Sequence, residues 1–142
     1  MSAETLPTSR VADLMSTPLV TLYQMLTKPE IQPVLPPPAT NGGTRNFNER
    51  QTLLMMLAAD MVRSGMKFPL AASWACEFGE RLAFNPEASS VHVEFRRSGA
   101  MFFFTSDDAP EAGEHAGPRR FRMTFDLDAY RAAIRTAMSK VA

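Results

Sequence analysis

The hydrophobic residues in the first part of the chain recur every three or four positions, which is the spacing of an amphipathic helix. Residues able to cap a helix, or prolines suited to a first turn, stand at the start of these segments. The third segment is apolar over most of its surface, and Trp74 in the fourth is expected to be a core residue. The predicted helices cover residues 9–16, 18–27, 49–64 and 69–84.

The segment between the second and third predicted helices contains five prolines and two glycines within residues 28–46, which excludes an α-helix. Val34-Leu35 and Thr44–Phe47 are predicted as two short strands, and Asn41-Gly42 is a favourable turn pair between them. The pattern therefore predicts a small two-stranded wing with an entry that proline stiffens.

After Pro86 the apolar period changes from 3.6 to 2, which indicates strands rather than helices. Three strands are predicted over residues 91–96, 101–105 and 120–125, the first two forming a hairpin. Asp126 is expected to cap a last helix whose apolar stripe covers the sheet. That stripe consists of Leu127, Tyr130, Ile134 and Met138.

These elements predict an α+β fold, with an N-terminal helical region, a small three-stranded antiparallel sheet and a C-terminal helix. The expected organisation is a flexible tail over residues 1–8, a helical domain over 9–84 and a β-β-β-α unit over 85–142. Residues 101–104 are more apolar than a strand with one buried face requires. The last unit is therefore expected to serve in dimerisation or partner binding.

Composition narrows the classes of protein that fit. The 142 residues are 45% hydrophobic with zero formal net charge, and the segments before and after residue 84 are each neutral. Neutrality argues against a protein that holds DNA mainly by charge. No run of apolar residues is long enough to span a membrane, and residues 1–10 contain no apolar signal core, so a cytoplasmic location is expected.

Candidate catalytic and metal-binding residues are few. Cys76 is the only cysteine, and a buried inert thiol is the expected state. His92 and His115 have no metal-ligand spacing, and the acidic residues of 107–114 lack the regular spacing of a calcium loop. The sequence offers no nucleophile with an adjacent base, so neither an enzyme, nor a cofactor, nor a metal is expected.

Three short motifs carry a resemblance to a known family. They are the run Gly43 to Phe47 before a polar-capped helix, the turn within residues 61–68, and Thr21-Leu22-Tyr23 in the second helix. Together with the order helix, turn, helix, wing and helix pair, residues 9–84 resemble the winged helix-turn-helix region of MerR-type DNA-binding regulators. The resemblance implies a transcriptional regulator that binds double-stranded DNA, and a homodimer would add contacts on a two-fold site.

The resemblance assigns roles to individual residues. The planar guanidinium of Arg45 suits a phosphate contact from the wing, and Thr21 and Gln24 are expected to face base edges. The expected DNA-binding set is Arg45, Thr21, Gln24, Thr17, Lys28, Arg50, Asn41, Gly43 and Thr44.

The sequence departs from the family pattern in the second helix, where Val20, Gln24 and Met25 replace the usual arginine and aromatic residues. The wing is longer, and the long dimerising helix of typical members is absent. Two alternatives therefore stay open. One is an architectural protein that bends DNA, as small excisionase-like winged proteins do, and the other is a winged module that binds another protein.

Overall fold

The computed structural model describes residues 4–36, 45–96, 101–105 and 119–141, with the backbone alone for residues 96, 119–121 and 141. The chain divides into two compact units. A helical unit comprises residues 1–76 and 129–142, and a sheet unit comprises residues 77–128. Helices and a three-stranded antiparallel sheet are both present, which confirms the expected α+β class.

All four helices expected in the first part of the chain are present, with ends within two residues of the predicted ones. No helix in the described ranges is long and apolar enough to cross a membrane. The elements of the helical unit are β1 (Leu6–Pro7), α1 (Thr8–Leu14), α2 (Leu19–Met25), a 3-10 helix (Pro29–Val34), β2 (Asn46–Phe47), α3 (Glu49–Arg63), the first half of α4 (Phe68–Phe84) and most of α5 (Leu127–Val141).

Helix α3 is the most buried element of the helical unit, and every residue from Thr52 to Ala59 is buried. It begins with a capping box: the Asn48 side chain accepts from the Gln51 amide at 2.8 Å, and the Gln51 side chain accepts from the Asn48 amide at 2.9 Å. Because the helix is apolar on most sides, its neighbours must surround it to keep it from water.

Strands β1 and β2 form a two-residue antiparallel ribbon in which Leu6 pairs with Phe47 and Pro7 with Asn46. The side chains of Leu6 and Phe47 are fully buried. The prediction of a flexible tail over residues 1–8 is therefore wrong for Leu6 to Thr8. Burial of Leu6 and a bond from the Thr8 hydroxyl to the Arg45 carbonyl, at 3.2 Å, fix this segment.

The predicted strand at Val34-Leu35 is also wrong, because Val34 ends the 3-10 helix. A proline is tolerated in a first turn, and Ile31 and Val34, three residues apart, are both buried on one side of this helix. The wing was expected to pair these residues with Thr44–Phe47, but β2 pairs with β1 instead. The predicted turn at Asn41-Gly42 lies outside the described residues.

The C-terminal ends of α1 and α3 share one hydrogen-bond pattern, the Schellman motif. After α1, the amides of Ser16 and Thr17 donate to the carbonyls of Asp13 and Ala12, both at 3.0 Å. Ser16 has φ 51°, the left-handed conformation that favours glycine. After α3 the same position is Gly65, with φ 110°, which confirms the predicted glycine end of this helix.

The sheet unit consists of the second half of α4, β3 (Ser90–Arg96), β4 (Met101–Thr105) and β5 (Arg119–Asp126). The strands lie in the order β4-β3-β5, all antiparallel, which confirms the predicted hairpin and third strand. Phe78 of α4 packs edge-on against Phe103 and Phe125, with ring centroids 5.4 and 5.6 Å apart. Helix α4 therefore covers one face of the sheet.

This arrangement corrects the role predicted for the last helix. Helix α5 groups with the helical unit, so the predicted boundary after residue 84 does not match the observed division. The Tyr130 hydroxyl donates to Asp60 of α3 at 2.5 Å, and Arg135 forms a 3.1 Å ion pair with Glu49. These contacts, with the buried Ile134, attach α5 to α3.

The two Schellman ends predict stability changes of opposite sign. Gly65→Ala is expected to lower the free energy of unfolding by about 1–2 kcal/mol, because a Cβ disfavours positive φ. The cost is conformational, since a Cβ at Gly65 meets nothing within 4 Å.

Ser16→Gly is expected to raise the free energy of unfolding by about 0.5–1 kcal/mol, after the greater chain entropy of glycine is subtracted. Urea unfolding of both variants measures this, and a destabilised Ser16→Gly would contradict the prediction.

Candidate nucleic-acid interface

Helices α1 and α2 are separated by four residues, Met15 to Pro18. The left-handed Ser16 reverses the chain, and Pro18 then precedes the first residue of α2. On the inner side of this pair, Met15 and Leu22 are fully buried and Leu26 is 7% exposed. The result is two short helices joined by a tight connection, the local arrangement that positions a helix for groove binding.

The connection is fixed by a side chain from α3. Arg63 donates from Nη1 to the carbonyl of Met15 and from Nη2 to the carboxylate of Asp60. Asp60 also accepts the hydroxyl of Tyr130 from α5. Since a charged donor strengthens a bond to a carbonyl, Arg63 holds the end of α1 against α3.

The other end of α2 is fixed by the 3-10 helix. The Gln32 side-chain amide donates to the carbonyl of Leu26 at 2.7 Å and to that of Lys28 at 3.1 Å. These carbonyls follow the last turn of α2 and have no partner within the helix. Helix α2 is thus anchored at both ends while its outer surface remains exposed.

The outer surface of α2 is more apolar than predicted. Val20 is 66% exposed, Tyr23 47% and Leu19 39%, and Leu22 is the one fully buried residue of the helix. Leu19, Leu22, Tyr23 and Leu26 are spaced at i, i+3, i+4 and i+7, which predicts one inner face for all four. That prediction is wrong for Leu19 and Tyr23, which are exposed. A helix of seven residues presents only a narrow strip inward, and Leu22 with Leu26 fills it.

Four residues of the predicted DNA-binding set are exposed. Thr21 and Gln24 lie on α2, Lys28 follows it, and Arg50 lies in the first turn of α3. Gln24 and Val20 are one helical turn apart, on the side of α2 opposite Leu22. Val20 was not predicted as a site residue; the sequence marked it only as a departure from the family pattern in the second helix.

The remaining predicted residues are less available or are not described. Thr17 is half-buried and its hydroxyl donates to the Met15 carbonyl at 3.1 Å. Arg45 is half-buried, and its Nη1 donates to the Pro36 carbonyl at 3.3 Å. This bond uses one of the five N–H groups of the guanidinium. Asn41, Gly43 and Thr44 lie outside the described residues.

The zero net charge of the chain conceals a strong asymmetry between the units. The helical unit contains nine Lys/Arg and five Asp/Glu, a net charge of +4, whereas the sheet unit contains six and ten, a net charge of −4. The sequence division at residue 84 missed this, because it assigned α5 to the other part. Helix α5 adds three positive charges to the helical unit, those of Arg131, Arg135 and Lys140. Residues 129–142 contain no Asp or Glu.

One groove of the helical unit lies between α1 and α5 and encloses about 500 Å³. Its floor is formed by Leu14 and small side chains of α5, and Arg10, Asp13 and Lys140 lie along it. Arg10 and Asp13 form an exposed 4.0 Å ion pair. Cations from α1 and α5 therefore border the same groove.

The sheet unit contains a second polar cluster, on strand β3 and its neighbours. His92 and Glu94 alternate with the apolar residues of β3, yet both are buried. Two nitrogens of Arg122 donate to one oxygen of Glu94, at 2.6 and 3.1 Å. Rings of His92 and Phe104 stack at 4.8 Å, and the Arg122 guanidinium lies 4.8 Å from the same Phe104 ring.

The imidazole of His92 lies between two hydroxyls. Ser90 Oγ is 2.9 Å from Nε2, and Thr124 Oγ1 is 2.8 Å from Nδ1. A serine beside a histidine is an arrangement that the sequence analysis had not found. The group at Nδ1 is a hydroxyl and not the carboxylate that orients and stabilises a catalytic imidazolium. The pKa of His92 is lowered by burial and by the nearby Arg122, with Glu94 acting in the opposite direction.

Within the described residues, three or more His, Cys, Asp or Glu side chains nowhere come together as a metal site. Cys76 is half-buried rather than fully buried, and its thiol donates to the Glu30 carbonyl at 3.3 Å. The α1–α2 surface is therefore the candidate site with the clearest outward-facing side chains.

Comparison of the sequence with known protein families and with curated proteins finds no match to either.

The lowered pKa of His92 predicts a pH-dependent loss of stability. Above about pH 7 the histidine is neutral in both states and has no effect. As the pH falls through the unfolded-state pKa of about 6.5, the unfolded chain gains a proton that the folded chain resists, so the free energy of unfolding falls. Denaturant unfolding between pH 7.5 and 5 measures the slope.

His92→Gln removes this titration and can still hydrogen-bond to both hydroxyls, so its unfolding free energy should vary less over the same range. His115→Gln is the matched control, because His115 is the other histidine of the chain. Equal slopes for wild type and His92→Gln would contradict the prediction.

Proposed function

We propose that the helical unit binds double-stranded DNA with α2 in the major groove, and that the protein is a transcriptional regulator. The observation that carries the proposal is the anchoring of α2 at both ends with its outer surface exposed. A helix fits the major groove, and a fixed orientation lets its side chains meet the same base edges in every complex.

The charge distribution supports the proposal. Neutrality of the whole chain argues against a protein that holds DNA mainly by charge, but the unit that contains α2 has a net charge of +4. Lys28 and Arg50 are exposed cations of this unit and are the proposed phosphate contacts. Arg45 is a further candidate, since its bond to Pro36 leaves other N–H groups for a phosphate.

A homodimer is the proposed working form. Helix α2 has seven residues and no Lys or Arg, so one copy offers few base contacts. Two copies on a two-fold site add their contacts and raise specificity. Sedimentation in the presence of a bound duplex is expected to give two chains per site.

A transcriptional regulator acts where the DNA is, so a cytoplasmic location is part of the proposal.

The test is a binding titration against a pool of duplex fragments at several salt concentrations. The wild type is expected to retain a subset of fragments. Arg50→Ala should weaken binding to all fragments alike and reduce the slope of log affinity against log salt by about one. Gln24→Ala should instead reduce the discrimination between fragments by about 1–3 kcal/mol at an unchanged slope.

Arg81→Ala is the matched control, because Arg81 is an exposed helical arginine of the acidic sheet unit. It should bind as the wild type does. Absence of binding by the wild type at low salt overturns the proposal. Equal losses in Arg81→Ala and Arg50→Ala would assign the binding to charge in general and not to this surface.

A further inference from the structure

We infer that the α2 surface selects A·T base pairs through thymine methyl groups and an adenine edge, and that it makes no bidentate Arg or Lys contact to guanine. The inference rests on the proposed function and names the DNA that this helix can recognise. It follows from the chemistry of the side chains that α2 exposes.

Helix α2 contains no Lys or Arg, since its sequence from Leu19 to Met25 is LVTLYQM. The commonest specific contact to guanine is a bidentate Arg or Lys to its O6 and N7 atoms. No residue of α2 can make that contact. Any discrimination by this helix must therefore come from its amide, hydroxyl and apolar groups.

The position of Gln24 suits it to a base contact. It lies on the outermost side of α2 and is exposed. A glutamine side chain carries one acceptor and two donors, which match the N6 donor and N7 acceptor of adenine. This amide lies on the side of α2 opposite the buried Leu22.

Val20 lies one helical turn before Gln24 and is 66% exposed. The turn is about 5.4 Å long and base pairs are about 3.4 Å apart, so the two side chains reach neighbouring or next-neighbouring pairs. The C5 methyl of thymine is the apolar group of the major groove. Guanine and cytosine carry no methyl group in the major groove, so Val20 gains the most apolar contact at thymine.

The flanks of the same surface suit the DNA backbone. Thr21 lies on one side of the Val20–Gln24 pair, and Tyr23, 47% exposed, lies on the other. Their hydroxyls can donate to phosphate oxygens without selecting a base. The apolar residues are thus interleaved with polar ones within a unit of net charge +4, which favours a polyanion over an apolar protein partner.

The experiment starts from a selection of the full-length protein on randomised duplexes. The enriched motif is expected to contain A·T pairs at its most selective positions. Thymine in that motif is then replaced by uracil, which removes the methyl group, and adenine by 7-deazaadenine, which removes N7. Each methyl in contact should be worth about fourfold in affinity. The adenine N7 bond should be worth about three- to tenfold.

The assignment to residues comes from pairing base analogues with variants. Val20→Ala should reduce the preference for thymine over uracil, because its shorter side chain offers less apolar contact, and Gln24→Ala should lose its sensitivity to 7-deazaadenine. Val62→Ala is the matched control, because Val62 is an exposed valine on α3 of the same unit, 37% exposed. It should keep the full sensitivity of the wild type to both analogues.

The outcomes separate the inference from the proposed function. Selective binding to a G·C motif, or an A·T motif indifferent to both analogues, overturns the inference and leaves DNA binding intact. Failure to bind any duplex at low salt overturns both. Self-association that Val20→Ala abolishes, without DNA binding, would assign the surface to a second copy and overturns both as well.

Discussion

The need to enclose α3 is the constraint on which the helical unit depends. Every residue from Thr52 to Ala59 is buried, so this helix cannot lie on the surface of any stable fold. Its neighbours are also joined to it by polar contacts at its two ends. Glu49 binds Arg135 at one end, and Asp60 and Arg63 bind Tyr130 and the end of α1 at the other.

The polar contacts at the end of α3 connect packing to the candidate site. Arg63 fixes the carbonyl of Met15, which is the last residue before the left-handed Ser16. Arg63, a side chain of α3, therefore helps to fix the connection from which α2 begins. A helix with one buried residue has little packing of its own, so its position depends on these anchors.

Local periodicity predicted the α-helices and the three strands of the larger sheet closely, because it records which side of an element faces a core. It could not identify partners that are distant in sequence. The pairing of Leu6 with Phe47 and the attachment of Tyr130 to Asp60 are such cases, and both altered the predicted domains. The burial of His92 and Glu94 was hidden too, since an alternating polar residue gives the same pattern whether it meets water or Arg122.

For the site, the sequence identified Thr21 and Gln24 but not Val20, whose exposure depends on how little of α2 is buried.

The assignment of α5 to the helical unit has a consequence for how the protein folds. The sheet unit, residues 77–128, interrupts the helical unit along the chain. During synthesis, the N-terminal helices leave the ribosome long before the segment that supplies Tyr130 and Ile134, so α3 lacks one of its neighbours until α5 emerges. Closing the helical unit then brings together ends separated by a whole folded insertion. A sheet unit that folds first lowers the chain entropy lost in this closure, because an ordered segment replaces part of a long flexible loop.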